Sequence, residues 1–314
     1  MTNLARYAFA ALLGIALVCS LGACGDKNAD DGSFRIVATT GHIHDALLAI
    51  TDGTNPDMKL LCGPGVDPHS YSASTGDVKA MEAASFIAWN GFHLEARLED
   101  LMKDTFADKA WSMASAFPES SRLDWVEDGE IDPKAPFDPH IWNHLQGWAE
   151  CVEALAAKLG EMDAANADTY KKNGKAYADK VREADAWAKG EIAKIPADRR
   201  FLVSGHDAFN YFAKEYGLET VAVLGVGNDQ EADIQTMREV AKTIADRKVP
   251  VIFMESLTNP KITTALKEAA KSHGWEVKIA DDSLYSDDLG ENPPQNTYLG
   301  AFRSNVELIR DALK

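Results

Sequence analysis

Asp-Pro-His occurs twice, in GVDPHSY (65–71) and FDPHIW (137–142), in a chain with only eight histidines. The proline before each histidine disfavours helix at the aspartate and fixes a turn, so both imidazoles are presented on stiff loops. A third histidine, His206, directly follows the apolar run RFLVSG (200–205). The segment SLYSDDLG (283–290) follows a further run, EVKIA (276–280), and brings the adjacent carboxylates Asp287 and Asp288. Three imidazoles and a carboxylate form a donor set for zinc, and also for manganese or iron. No local ligand motif such as HExxH joins them, so the fold has to bring them together.

The elements that could do so alternate along the chain. FRIVATT (34–40), MKLLCG (58–63) and SFIAWNG (85–91) read as buried strands, each followed by a helical pattern: IHDALLAITDG, DVKAMEAA and HLEARLEDLMKDT. The acidic, proline-containing stretch 124–139 reads as a loop, and IWNHLQGWAECVEALAAKLGEM after it as a helix by its apolar spacing. Residues 163–195, rich in Ala and Lys, carry Tyr170, Tyr177, Val181 and Trp187 at spacings that suit one half-buried stripe on a long helix. The rhythm then restarts with strands at 200–205, 250–256 and 276–280 and a strand in TVAVLG, with helices between them. Strands alternating with helices imply βαβ units and parallel sheets. The predicted fold is α/β. It has two lobes, each with a mostly parallel sheet flanked by helices, joined by one long rigid linker helix. Boundaries fall at 34–162, 163–195 and 196–314. Open parallel sheets bind ligands at the carboxyl ends of their strands. His69 and His140 from the first lobe, and His206 with Asp287 or Asp288 from the second, therefore point into the crevice between the lobes.

Of the other polar residues, Glu255 in FMES ends a strand of the second lobe and is a candidate to support a ligand. Asp45, in the first helix, is placed to hydrogen-bond near the site. His42, His44, His144 and His273 have no such context and read as ordinary surface or helix residues. Trp142, Trp148 and Trp187 read as packing residues. Cys62 and Cys151 could pair in an oxidising compartment, and no CxxC indicates a thiolate zinc site.

A hydrophobic content of 46% fits a globular chain. The net charge of −17 argues against a nucleic-acid partner, since phosphate binding needs basic patches. The first 23 residues have Arg6 in a short polar start, an apolar run through Val18 and then small residues, the pattern of a secretory signal rather than a membrane span. Leu21-Gly22-Ala23-Cys24 resembles the lipobox of bacterial lipoproteins, which implies lipidation of Cys24 after cleavage. The polar stretch 24–33 then reads as a flexible tether.

Taken together, GPGVDPHSY, WNGFHLE, DPHIW, SGHDAFNYFAKEYGL, VPVIFMES and LYSDDLG resemble the solute-binding lipoproteins of zinc/manganese ABC importers, the cluster A-I receptors, over residues 34–314. The resemblance implies metal ligands at His69, His140, His206 and Asp287, with Asp288 the rival to Asp287. His93 matches a position that similar proteins also fill with histidine, and it reads as a supporting or structural residue. The implied cargo is Zn2+ or Mn2+. Three imidazoles lean towards zinc, whereas the words around IFMES and LYSDDLG resemble the manganese-handling branch, and the acidic stretch 119–137 lacks the histidine-rich loop of many zinc-specific relatives. The implied partners are an ABC permease with its cytoplasmic ATPase. The implied location is outside the cytoplasmic membrane, on its outer face or in the periplasm, for a monomer held by its lipid. Two other functions fit parts of the pattern. A secreted zinc hydrolase would need an open coordination position and a nearby base. A surface adhesin lipoprotein is a role given to some similar proteins.

Overall fold

Strand β1 (Arg35–Thr40) has five of its six residues buried, as a strand covered on both faces requires. It pairs in parallel with β2 (Asp57–Cys62) on one side and β3 (Phe86–Trp89) on the other, and β3 pairs with the short β4 (Ala110–Ser112). The order β2-β1-β3-β4 reverses direction at β1, so the loops leaving β1, β2 and β3 open at the switch point where such sheets place ligands. The computed structural model describes residues 33–127, 130–131, 133, 135–227 and 232–314. The expected signal (1–23), Cys24 and the tether up to residue 32 lie outside the described residues.

Two crossovers of this sheet are the helices the sequence predicts. Thr40 caps α1 (Gly41–Ile50), and Ser74 and Asp77 form a reciprocal capping box on α2 (Thr75–Ala83). The third departs from expectation. In place of a regular helix over HLEARLEDLMKDT, the chain takes left-handed φ at Phe92 and His93 (50° and 66°), and a π-helical turn spans Leu101–Thr105. Glu95 explains the difference. Its buried carboxylate accepts the Asn90 and Gly91 N–H groups (2.7 and 3.1 Å) and the Thr39 hydroxyl (2.6 Å), which curls residues 90–95 into a tight turn. The acidic stretch 124–139 is not wholly irregular: β5 (Val126–Glu127) and β6 (Glu130–Ile131) form a small antiparallel ladder within it.

In the second lobe, β7 (Phe201–Ser204) pairs in parallel with β8 (Glu219–Ala222), and β9 (Val251–Glu255) with β10 (Lys278–Leu284), while β7 runs against β9. Around them lie α5 (Asn210–Tyr216), α6 (Ile234–Arg247), α7 (Pro260–Ser272) and α8 (Tyr298–Leu313). β10 runs further than EVKIA because a register shift between Ile279 and Ser283 lets the pairing resume as far as Leu284.

Between the lobes, α3 (Leu145–Met162) is followed by α4 (Ala167–Ile192), whose 26 residues span about 39 Å. Tyr170, Tyr177 and Val181 are buried along it, and Trp187 is partly buried under the Arg303 guanidinium. Gly174 lets α4 approach α3 closely, since a Cβ there would lie 2.4 Å from that of Ala156. One apolar cluster runs from Ile36 and Phe86 through Trp148 and Val181 to Phe253 and Phe302, so the two lobes share a core through these helices. Cys62 and Cys151 are free thiols buried in separate clusters, which excludes the disulfide that sequence left open.

Candidate metal centre

Each of the four expected donors stands just beyond an ordered element. His69 is on the loop after β2, His140 on the loop that enters α3 through a 3-10 turn at Ile141–Asn143, His206 immediately after β7, and Asp287 after β10. All four are buried, and one donor atom from each lies within 4.8 Å of all the others. His69 Nε2 is 3.3 Å from His140 Nε2. Asp287 Oδ2 is 3.0 Å from His206 Nε2 and 3.6 Å from His69 Nε2, and its Oδ1 is 3.4 Å from His140 Nε2. A tetrahedron of donors about 2.0–2.1 Å from a zinc ion has edges of about 3.3–3.4 Å. The three edges that His69 makes with His140 and that Asp287 Oδ2 makes with His69 and His206, 3.3, 3.6 and 3.0 Å, bracket that value. Both Asp287 oxygens face imidazoles, so a second carboxylate contact is available to an ion that prefers a larger coordination number.

The orientation of each imidazole has an identifiable cause. Asp138 Oδ1 accepts both the backbone N–H of His140 (2.9 Å) and its Nδ1–H (2.8 Å), which leaves Nε2 as the donor atom towards the cluster. Glu255 faces His206 from the corresponding side: Oε2 lies in ion-pair contact 2.5 Å from Nδ1, and Oε1 accepts the N–H groups of Gly205 and His206. His69 is held at its backbone, where Asp67 Oδ1 accepts its N–H at 2.9 Å. Asn90 donates to the Pro139 carbonyl at 2.8 Å and so anchors the second Asp-Pro-His turn to the 90–95 turn.

Charges in the cluster are arranged for a cation. Burial alone would raise the Asp287 pKa, but the His206 charge and the hydrogen bonds of His206 and His69 hold it well below the usual carboxylate range. Burial alone would lower the His206 pKa, but the Glu255 and Asp287 carboxylates outweigh it and hold it well above the usual imidazole value. Asp138, Glu255 and Asp287 place three carboxylates in or against the cluster.

The other sequence candidates separate. Asp288 turns its carboxylate away, to the Gly65 N–H (2.9 Å) and the Ser256 hydroxyl. Glu255 lies against His206, one of the four clustered donors. His93 pairs with Glu99 at 2.5 Å, and Asp45 accepts the Tyr177 hydroxyl and lines a cavity of about 160 Å³ with Pro64 and Leu289; neither is brought to the four donors. His42 is not an ordinary surface residue. It is buried and stacks on Trp142 at 4.6 Å, and Trp142 meets His140 edge-on. Burial brings the His42 pKa down to about 3, against the raising field of Asp287 and with a smaller lowering by His140. The roles of Asp138, Asn90 and Glu95 went unassigned in the sequence, although the first lies inside the repeated tripeptide and the others inside WNGFHLE.

Known proteins share this arrangement of elements. A family model described as zinc-uptake complex component A, periplasmic, matches residues 36–312. The manganese-binding lipoprotein MntA of Bacillus subtilis is 34% identical over 300 residues, covering 94% of this chain and 95% of its own. The zinc-binding protein TroA of Treponema pallidum is 35% identical over 294 residues, 93% of this chain and 92% of its own. Its solved structure superposes with a TM-score of 0.83 at 34% identity, covering 90% of this chain and 99% of that one. The iron-binding protein YfeA of Yersinia pestis is 29% identical over 304 residues, 95% of this chain and 93% of its own. The chain belongs to the zinc-uptake complex component A family of periplasmic proteins.

Proposed function

We propose that the chain is an extracytoplasmic receptor that captures a divalent transition metal, zinc or manganese, through His69, His140, His206 and Asp287, and delivers it to the permease of an ABC importer. The observation that carries this reading is the buried tetrad of donors, with one ligand atom from each residue within 4.8 Å of all the others. Relatives named for manganese and for zinc support the same class of cargo. Four protein donors occupy a tetrahedral ion completely, which suits capture and release better than hydrolysis, where one position is kept for water. The chain is taken to act as a monomer of lobes 34–162 and 196–314 around the linker 163–195. Cys24 would carry the lipid that holds it at the outer face of the membrane, in keeping with relatives that are named lipoproteins.

Elemental analysis of protein purified without chelator tests the reading. One equivalent of metal per chain is expected, lost in the His69→Ala, His140→Ala double variant; a wild-type chain with no stoichiometric metal would sink it. In competition, zinc should displace manganese, as the general affinity order of divalent ions requires. Affinity should fall as the pH drops through about 6.5, where protons compete for imidazole.

A further inference from the structure

Asp288 adjoins the acidic member of the tetrad yet bonds elsewhere, and its two partners lie in different lobes. Oδ2 accepts the N–H of Gly65, on the loop that follows β2 and carries His69. Oδ1 accepts the hydroxyl of Ser256, which follows β9. The carboxylate is buried, while Gly65 lies at the exposed lip of its loop in a left-handed turn (φ 77°). Apart from the contacts of the His69 imidazole, the other hydrogen bonds described for this loop are internal: the Gly63 carbonyl accepts the Val66 N–H, and the Asp67 carboxylate accepts the His69 N–H and the Ser70 hydroxyl.

The loop bearing His140 is fastened quite differently. Asn210 donates to Asp138 Oδ2 at 3.1 Å, the Tyr211 hydroxyl to the Asp138 carbonyl at 3.0 Å, and Asn143 to the Ala208 carbonyl at 2.9 Å. Trp142 Nε1 donates to the Ser286 carbonyl at 2.8 Å, and the Tyr298 hydroxyl to the Trp142 carbonyl at 2.6 Å. His140 is thus bound into the second lobe with His206 and Asp287. His69 reaches that lobe through its own imidazole, and its loop reaches it through Asp288.

We infer that Asp288 is a latch that closes the His69 loop over the captured metal and sets how fast the metal is released. When the Gly65 bond opens, the loop can lift His69 away while His140, His206 and Asp287 stay together, so release begins at one ligand. The inference rests on the metal-binding reading above and adds a positioning residue to it.

The test uses the full chain and the variants Asp288→Ala, Asp288→Asn and Ser256→Ala, loaded with zinc or with cobalt(II) as a spectroscopic probe. Loss of metal to excess chelator should be about tenfold to a hundredfold faster in Asp288→Ala, the range expected for a lost hydrogen bond to a charged group. Metal content should stay at one per chain, and the cobalt absorption spectrum should be that of wild type. Asp288→Asn, whose amide can still accept from Gly65 and meet Ser256, should restore most of the slow release, and Ser256→Ala should have the smaller effect. Amide exchange in metal-loaded Asp288→Ala should rise over 63–70 and not over 138–143. An altered cobalt spectrum with lost stoichiometry would make Asp288 a ligand and overturn the inference, as would wild-type release from Asp288→Ala. A wild-type chain that binds no metal would instead defeat the receptor reading. The exchange comparison of 63–70 on apo-protein would then decide the latch by itself: unchanged protection in Asp288→Ala would refute it.

Discussion

The two Asp-Pro-His turns have the same local geometry and opposite surroundings. In both, the aspartate Oδ1 accepts the N–H of the histidine two residues on at 2.9 Å, with proline holding the turn between them. Beyond that they differ. Asp138 is fully buried and also takes the His140 Nδ1–H, whereas the half-buried Asp67 gives its second oxygen to Ser70. Behind His140 stands a stack of Trp142 and His42, with Tyr298 edge-on to His42. Behind His69 the chain runs to Tyr71, whose hydroxyl bonds Asp77 on α2. The tripeptide therefore specifies how an imidazole is presented, and the residues around it decide how many bonds fasten its loop to the second lobe. A protein that must bind a metal tightly and still give it up has use for a firmly and a lightly fastened loop.

Neutralising the two aspartates separately should expose the difference most strongly. Asp138→Asn removes the carboxylate that orients and polarises His140, and metal affinity should fall about 10- to 100-fold, the usual effect of losing such a partner. Asp67→Asn keeps an acceptor for the His69 N–H and touches no imidazole nitrogen, so affinity should stay within about threefold of wild type. Competition titration against a chromophoric chelator measures both. Equal losses would mean that the turns are equivalent and that the supporting carboxylate has no special part. Glu255→Gln belongs with Asp138→Asn, because it stands to His206 as Asp138 does to His140.

What the sequence disclosed follows the same division. Strand-helix alternation and the long helix were legible because they depend on local signals, apolar runs and their spacing; the proline turns and a histidine just after a strand raised His69, His140 and His206 as candidates, and Asp287 joined them through the family resemblance. The 92–98 segment was not, because its apolar spacing suits a helix while Glu95 is turned inward by partners at Thr39, Asn90 and Gly91, the first of them distant in sequence. Asp287 and Asp288 were indistinguishable for a similar reason. Adjacent carboxylates leaving a strand face different ways, and only the opposite lobe, with His69 and His140 for one and Gly65 for the other, tells them apart. His42 looked ordinary since nothing near it in sequence predicts a tryptophan stacked on its ring.

That stacked pair carries a pH dependence of its own. His42 has its pKa lowered to about 3, mainly by burial, so the folded chain refuses a proton that the unfolded chain accepts near 6.5. Its contribution is complete at neutral pH and is lost as the pH falls below about 6.5, amounting to about 2 kcal/mol at pH 5. Asp287, whose field raises the His42 pKa, and His140, which lowers it, are the charged neighbours that modulate this. In metal-stripped protein, His42→Phe keeps an aromatic ring against Trp142 and removes the titration. The drop in unfolding free energy from urea titration between pH 7 and pH 5 should be smaller in the variant than in wild type by about that energy. An unchanged drop would place the acid sensitivity elsewhere.

The smallest effect concerns one hydroxyl that fastens the second turn to α5. Tyr211 donates to the Asp138 carbonyl at 3.0 Å and accepts the Leu123 N–H at 3.2 Å, so it joins two segments of the first lobe to the second. Tyr211→Phe keeps the ring, which packs edge-on against Phe117, and leaves a buried carbonyl without this donor. A net cost of about 1 kcal/mol is expected, which lowers Tm by about 2 °C in a chain of this size. Metal affinity should hardly move, because the Asp138 carboxylate keeps His140 in place. Ser70→Ala, the matching deletion in the first turn, removes a bond from a half-buried carboxylate that water can reach, and its Tm should stay within about 1 °C of wild type. If the two variants lost the same stability, the His69 turn would be fastened as firmly as the His140 turn, and release could begin at either.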